Sequence, residues 1–242
     1  MIGLVLAAGA GRRLLPHTEH LPKTLLPVAE ERTILDVILA NLAAAGLTDV
    51  AVVVGHHADA VKVRVPELER RHGVRLRLVH NDRVDWNNAY SLWLARDQFA
   101  DGALLVNGDT VHPVSVERTL LAGTGSGVRL AVDAVKTLTD EAMKVRLDGG
   151  DRVVRITKQL PVETAHGEYI GAALIDPGIA APLAECLADT WRRDPGLYYE
   201  DGFQLLADRT GEVRAERIGT VDWVEVDDPT DLARARELVC RY

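Results

Sequence analysis

Apolar runs of strand length recur along the chain at Ile2–Leu6, Val50–Val54, Val74–Val79, Ala103–Val106 and Val128–Val132. Segments with helical spacing separate them. This alternation predicts βαβ units and a mainly parallel sheet. Thr33 and Asp36 form a capping pair ahead of a helix over Ile34–Ala45, and Gly46 stands where a C-terminal cap belongs. Asp176-Pro177 and Asp228-Pro229 each join an N-cap acid to a proline at the first helical position. Pro66 interrupts the helical pattern of 58–72 and leaves the helix boundary there open. Lys144–Leu147 and Val153–Thr157 flank Gly149-Gly150 and read as a hairpin. The second half is therefore mixed, with antiparallel strands added to two or three helices.

The first strand runs into a loop of small residues, Leu6-Ala7-Ala8-Gly9-Ala10-Gly11. Without bulky Cβ atoms in the way, such a loop lets backbone N–H groups close on a phosphate chain. Arg13 and Lys23 add positive charge at the same mouth. A dinucleotide-binding fingerprint would need a third glycine where Leu14 stands, and a Walker A loop would need glycine where Pro22 precedes Lys23-Thr24. A tight strand-to-helix turn that binds nothing is the plain alternative. The added Arg13, Pro16, Lys23 and Pro27 favour a nucleoside triphosphate site.

Two acidic positions extend that reading. Val106-Asn107-Gly108-Asp109 puts a carboxylate just past the end of an apolar strand, at the rim where α/β sheets bind ligands. In Trp223-Val224-Glu225-Val226-Asp227, strand alternation points Glu225 and Asp227 to one face. Converging hard carboxylates suit Mg²⁺. A solvated acidic strand edge is the competing reading.

The run Leu-Ala-Ala-Gly-x-Gly-x-Arg-Leu-x-Pro, followed by Pro-Lys-x-Leu-Leu-Pro-Val, resembles the signature of the nucleotidyltransferase family that activates sugar phosphates. The resemblance extends along nearly the whole chain. The later segments are similar to the short cytidylyltransferases that act on phosphocholine, inositol phosphate or small phosphonates. It implies an α/β, Rossmann-like, mainly parallel mixed sheet sandwiched by helices, the nucleotide-diphospho-sugar transferase fold, with a small antiparallel substrate subregion. Residues 1–135 would form a nucleotide-binding half and 136–242 an acceptor-binding half carrying the second metal ligand.

The resemblance also implies the chemistry. A phosphate or phosphonate oxygen of the acceptor would attack the α-phosphorus of CTP, and pyrophosphate would leave. Leu6 to Gly11, Gly108 and Asp109 would surround the nucleotide. Arg13 and Lys23 would neutralise its phosphates, and Asp109 and Asp227, with Glu225 as a third, would hold Mg²⁺. Asn81 and Asn88 are candidates to read base or ribose, because amides both donate and accept. An N-cap role for Asn88 is equally open. Lys144 in Glu141-x-Met143-Lys144-Val145 would meet the acceptor phosphate, with Lys158 assisting. Glu168, Tyr169, Tyr199 and Glu200 would wall the acceptor pocket. An aromatic cage from Trp191, Tyr198, Tyr199 and Trp223 would suit a quaternary ammonium, whereas Arg152, Arg155, Arg192 and Arg193 leave room for an anionic acceptor.

Composition agrees with one catalytic domain. The chain has 242 residues, 47% of them hydrophobic, enough for a large core. A net charge of -8 argues against a nucleic-acid surface and requires the cations to be concentrated at the site. No apolar run is long enough to span a membrane, and the opening residues read as a strand rather than a leader. Cys186 and Cys240 lack metal-type spacing and suit a reducing cytoplasm, with a disulfide not implied. His56-His57 lacks a ligand partner at metal spacing and is expected at a helix start. Dimers are common among relatives, so a homodimer is allowed. Three other readings remain: a sugar 1-phosphate nucleotidyltransferase using UTP, dTTP or GTP; a glycosyltransferase of related fold, which would ordinarily want Asp-x-Asp where Asn107-Gly108-Asp109 stands; and a non-catalytic nucleotide sensor, against which the intact Arg13, Lys23, Asp109 and Asp227 argue.

Overall fold

A computed structural model describes residues 1–241. Thirteen strands are present: β1 Ile2–Ala7, β2 Pro27–Ala29, β3 Arg32–Thr33, β4 Asp49–Val54, β5 Arg75–His80, β6 Ala103–Asn107, β7 Thr110–Val111, β8 Val128–Asp133, β9 Lys144–Leu147, β10 Val153–Thr157, β11 Gly167–Ile175, β12 Val213–Arg217 and β13 Val224–Glu225. The α-helices are α1 Ile34–Ala44, α2 Ala58–His72, α3 Asn88–Leu94, α4 Ser115–Ala122, α5 Ala180–Arg193, α6 Tyr199–Thr210 and α7 Pro229–Val239.

The main sheet has nine strands in the order β10-β9-β11-β6-β1-β4-β5, with β8 also paired to β11 and β12 to β8. Strands β5, β4, β1 and β6 run parallel, and β11 joins β6 antiparallel. The interior strands are buried almost throughout, as a sheet covered on both faces requires. One apolar cluster packs α1, α2, α4 and α7 on one side, and another packs α3, α5 and α6 on the other. From β1 the chain crosses to β4 and β5 on one side, then returns to β6 on the other. That reversal makes the carboxyl ends of β1 and β6 the topological switch point, where open α/β sheets bind ligands. The expected strands, the Lys144–Thr157 hairpin and the mixed second half are all present.

One helix boundary left open is decided, and one expected cap changes. Helix α2 runs through Pro66 without a break, held by fully buried Val61 and Leu68 on either side of it. Asp176 makes no side-chain capping bond, because the Ile179 N–H that it would accept goes to the Asp176 carbonyl in a 3-10 turn. The other caps form as read. Thr33 and Asp36 cap α1 reciprocally, Gly46 follows it at φ +87°, and Asp228 with Asp231 caps α7. His57 begins α2, and both cysteines are free. Among the described residues no helix is long and apolar enough to cross a membrane.

Asp36 is fully buried and does more than cap. It accepts from Thr33 Oγ1 at 2.6 Å and from the Thr33 N–H at 3.0 Å, and it pairs with His72 Nε2 at 2.8 Å and Arg71 at 3.3 Å. Burial alone would raise its carboxyl, but the bonds from His72 and Thr33 and the Arg64 charge hold it well below the usual carboxylate range. This knot ties α1 to α2.

Candidate active site

The site begins where β1 ends. Leu6 pairs with Asn107 of β6, and the Gly108 N–H donates to the Leu6 carbonyl at 2.8 Å. The loops after two adjacent parallel strands are therefore locked together. A Cβ at Gly108 would lie 2.6 Å from the Leu6 carbonyl oxygen, so only glycine fits. Gly11 turns the loop at φ +58°, and its carbonyl accepts from Thr18 Oγ1 at 2.9 Å. The 3-10 turn Arg12–Leu14 follows, anchored by fully buried Leu14, so that Arg13 projects outward. A second 3-10 turn starts at Lys23 behind Pro22 and buries Thr24 and Leu25.

Lys23 is the hub of the charges. Its Nζ lies 2.9 Å from Asp109 Oδ2 and 2.8 Å from Asp227 Oδ1, and Arg13 Nη2 lies 2.7 Å from Asp227 Oδ2. Burial alone would lower the Lys23 ammonium, but the charges of Asp109 and Asp227 outweigh it and raise it further. Burial works against Asp227 as well, and Lys23 and Arg13 hold its carboxyl below the usual range. Strand β13 delivers the third carboxylate by pairing with β7, setting Glu225 opposite Thr110. The Val226 N–H donates to the Asp109 carbonyl at 2.9 Å, and the Trp223 indole N–H donates to buried Asp133 at 2.7 Å.

Oxygens of Asp109, Glu225 and Asp227 all lie within 4.8 Å of one another. Glu225 is exposed, and partial desolvation beside the cleft together with the charges of Asp109 and Asp227 raises its carboxyl above the usual range. Asp109 Oδ1 is buried and has no hydrogen-bond partner among the described residues. Crowded oxygen donors with an unused buried lone pair fit a hard divalent cation such as Mg²⁺.

Two adjoining hollows meet at these carboxylates. The smaller, about 250 Å³, is lined by Gly9, Gly11, Arg12, Arg13, Lys23 and Gly108 among others. The larger, about 260 Å³, extends over Asn81, Asn88, Asn107, Tyr169, Lys158 and Glu200. Asn81 is buried, donating to Ser91 Oγ at 2.9 Å and accepting from the Arg83 N–H at 2.7 Å. Helix α3 is capped by Asn87 rather than Asn88. Asn88 Oδ1 instead accepts the Tyr199 N–H at 2.8 Å, tying α3 to α6. Tyr199 lies beneath the floor, fully buried, its hydroxyl donating to Asn107 Oδ1 at 2.9 Å and lying 3.1 Å from the Tyr169 hydroxyl.

Besides Tyr199, two expected acceptor residues lie outside the cleft lining. Lys144 is buried, and its ammonium donates to the carbonyls of Thr139, Asp140 and Ala142. Glu168 sits directly across the β9–β11 ladder from Lys144 and pairs with Lys136 at 3.4 Å. Cross-strand partners share a face and chain neighbours take opposite ones, so Met143 and Tyr169 line the cleft while Lys144 and Glu168 turn away. No aromatic cage forms from the four expected residues. Trp223 is committed to Asp133, Trp191 packs on Trp86 at 5.8 Å, and Tyr199 lies under the floor. Tyr198, expected in the aromatic cage, lines the cleft, and Asn107 and Trp86 line it without having been singled out as ligands. For Asn107 the position before Gly108-Asp109 was the available signal, whereas nothing local marked Trp86.

Comparison with known proteins agrees with this geometry. The family model described as nucleotidyl transferase matches residues 2–130. The chain is 26% identical over 240 residues, 98% of its length, to the bifunctional IPC transferase and DIPP synthase of Aquifex aeolicus. It is 31% identical over 243 residues, covering 96% of the chain, to the CMP-5'-(3-aminopropyl)phosphonate synthase of Streptomyces rubellomurinus. These matches cover 51% and 38% of those relatives, so the chain spans about half their length or less. In fold it is similar to the inositol-1-phosphate CTP transferase of T. maritima, with a TM-score of 0.84 at 22% identity, covering 99% of this chain and 94% of that one. With its glycine loop, Lys23 and carboxylates gathered at the sheet's switch point, the chain belongs to the nucleotidyl transferase family.

Proposed function

We propose that this chain is a Mg²⁺-dependent cytidylyltransferase that moves CMP from CTP to a small phosphorylated alcohol or phosphonate and releases pyrophosphate. The observation that carries this reading is Lys23 held between Asp109 and Asp227 at the mouth of the Gly9–Gly11 loop. The choice of CTP rests on likeness to relatives, among them the choline-phosphate cytidylyltransferase of Streptococcus pneumoniae, 35% identical over 106 residues covering 43% of each chain.

The acceptor oxygen bonds to the α-phosphorus of CTP while the bond from that phosphorus to the bridging oxygen breaks, and pyrophosphate carries the electron pair away. A phosphate acceptor is already anionic near neutral pH, its second pKa being about 6, so no general base is required. Catalysis is positioning and charge neutralisation. The backbone of Leu6 to Gly11 cradles the triphosphate, with Gly108 giving it room. Lys23 and Arg13 carry their charges to the α-phosphate and the leaving pyrophosphate. Asp109, Asp227 and Glu225 would hold the divalent ion, which would supply positive charge to offset that of the phosphates. Asn81 and Asn88 border the space for ribose and base. Residues 1–135 thus serve mainly the nucleotide, while 136–242 supply the acceptor wall and two of the carboxylates. Its two free thiols suit the cytoplasm.

Pyrophosphate release in the presence of Mg²⁺ tests the reading, with CTP, UTP, ATP, GTP and dTTP each offered with phosphoethanolamine, phosphocholine, inositol phosphate, 2-aminoethylphosphonate and glucose 1-phosphate. Turnover with CTP and a non-sugar acceptor is the expected result. Turnover with UTP, dTTP or GTP and the sugar phosphate would retain the chemistry and overturn the cytidylyl assignment. Absence of nucleotide binding by calorimetry would overturn the enzyme reading.

A further inference from the structure

The far end of the cleft is built around Glu200, on the first turn of α6. Glu200 is 5% exposed, yet its Oε2 has no hydrogen-bond partner among the described residues. A buried carboxylate oxygen left unpaired is costly unless a ligand supplies the donor. Burial pushes this carboxyl up to about 7, the state expected of an acid whose counter-charge arrives with a ligand. Its mount is rigid, because the preceding Tyr199 is pinned to Asn88 through its N–H and to Asn107 through its hydroxyl.

The other charges favour the same ligand. Apart from Arg13 at the phosphate loop, Lys158 is the cation lining this cleft among the described residues. Its Nζ lies 3.8 Å from Glu141 and 5.8 Å from the centre of the Tyr198 ring, and its charge acts on both Glu225 and Glu200. Arg152, Arg155, Arg192 and Arg193 do not line the cleft, so nothing at its far end matches an acceptor carboxylate. The aromatic residues lining the cleft, Trp86, Tyr169 and Tyr198, do not pack ring against ring as a cage. The Trp86 ring is packed against Trp191 and Tyr90 with the Arg83 guanidinium 5.5 Å from its centre, and the Tyr169 hydroxyl meets that of Tyr199. A trimethylammonium group has no N–H to give Glu200, whereas a primary ammonium has three.

We infer that Glu200 selects an acceptor bearing an N–H ammonium group, whose phosphate or phosphonate is taken by Lys158. The inference rests on the transfer reading above and names its acceptor class. Two matched pairs test it: phosphoethanolamine against ethyl phosphate, and 2-aminoethylphosphonate against ethylphosphonate. Phosphocholine serves as the cation without N–H. With CTP and Mg²⁺, the amine member of at least one pair is expected to exceed its neutral partner in kcat/KM by roughly 10- to 100-fold, the worth of one charge-assisted hydrogen bond. The pair that responds distinguishes phosphate from phosphonate. Glu200→Gln is expected to bring that ratio close to one. Should the variant fail to fold, the wild-type ratios decide alone. Neutral acceptors performing as well as amines, or phosphocholine surpassing both amines, would overturn the inference. Calorimetric binding of the same pairs requires no turnover. Selective amine binding without CMP transfer would support Glu200 and overturn the transfer reading, while equal binding would overturn the inference whatever the transfer result.

Discussion

Lys23 Nζ lies 2.8 Å from Asp227 Oδ1, although 204 positions separate the two residues. The contact joins the loop after β1 to the end of the β13 segment, and Asp109 completes it from β6 at 2.9 Å. Three separate stretches of chain thus place one cation among carboxylates at the sheet's switch point. Lys23→Ala is expected to lower kcat by about 100- to 1000-fold, the usual effect of removing a preorganised charge from a phosphoryl site. Steady-state assay of pyrophosphate release checks this, and near-normal turnover would show that Lys23 does not act on phosphate.

Gly9 and Gly108 separate a ligand requirement from a folding requirement. A Cβ at Gly9 meets nothing within 4 Å, whereas one at Gly108 comes within 2.6 Å of the Leu6 carbonyl. Gly9→Ala should melt like wild type yet bind CTP roughly tenfold more weakly, because the methyl intrudes where backbone N–H groups must close on phosphate. Gly108→Ala should cost about 2 kcal/mol of stability through overpacking. Melting curves and CTP calorimetry on both variants supply the comparison. Unaltered CTP binding by the Gly9 variant would remove that loop from the phosphate site.

Asp36 sets an acid limit on stability. Its folded-state carboxyl is held below its unfolded value, so the stabilisation is present above the unfolded pKa of about 3.9 and fades as pH falls through and below it. Asp36→Ala should cost about 3 kcal/mol at pH 7, because it strands buried His72 and Thr33 partners. The variant should also lose part of the wild type's decline in Tm between pH 5 and 3. Thermal melts across that window decide the matter, and parallel curves for both proteins would contradict it.

Trp223 anchors the segment that carries strand β13 through its 2.7 Å bond to Asp133, which also accepts the N–H groups of Val135 and Lys136. Trp223→Phe removes a hydrogen bond to a buried charge, worth about 1.5–3 kcal/mol, and loosens the segment that carries Glu225 and Asp227. A higher Mg²⁺ concentration for half-maximal activity is expected alongside the lower Tm. A lowered Tm with an unchanged Mg²⁺ requirement would confine Trp223 to stability.

Much of this protein was determined by local pattern. Strand periodicity, the Thr33–Asp36 cap, the Asp228-Pro229 helix start and the paired runs around Gly149-Gly150 are short-range signals, and each produced its element. The glycine loop, Lys23, Asp109, Glu225 and Asp227 were singled out partly because each sits at a strand or turn end and partly because the resemblance to the nucleotidyltransferase family marks those positions. The acceptor side was not legible in this way. Whether Lys144 or Met143, Glu168 or Tyr169, faces the cleft depends on the register of β9 against β11, a one-residue choice that reverses every side chain. That Asn88 reaches across to Tyr199, and that Glu200 is left buried with an unpaired oxygen, follow from the packing of α3 and α6, elements far apart in the chain. Periodicity determines which residues can share a face. Only the assembled sheet and the helices docked on it decide which face looks into the cleft.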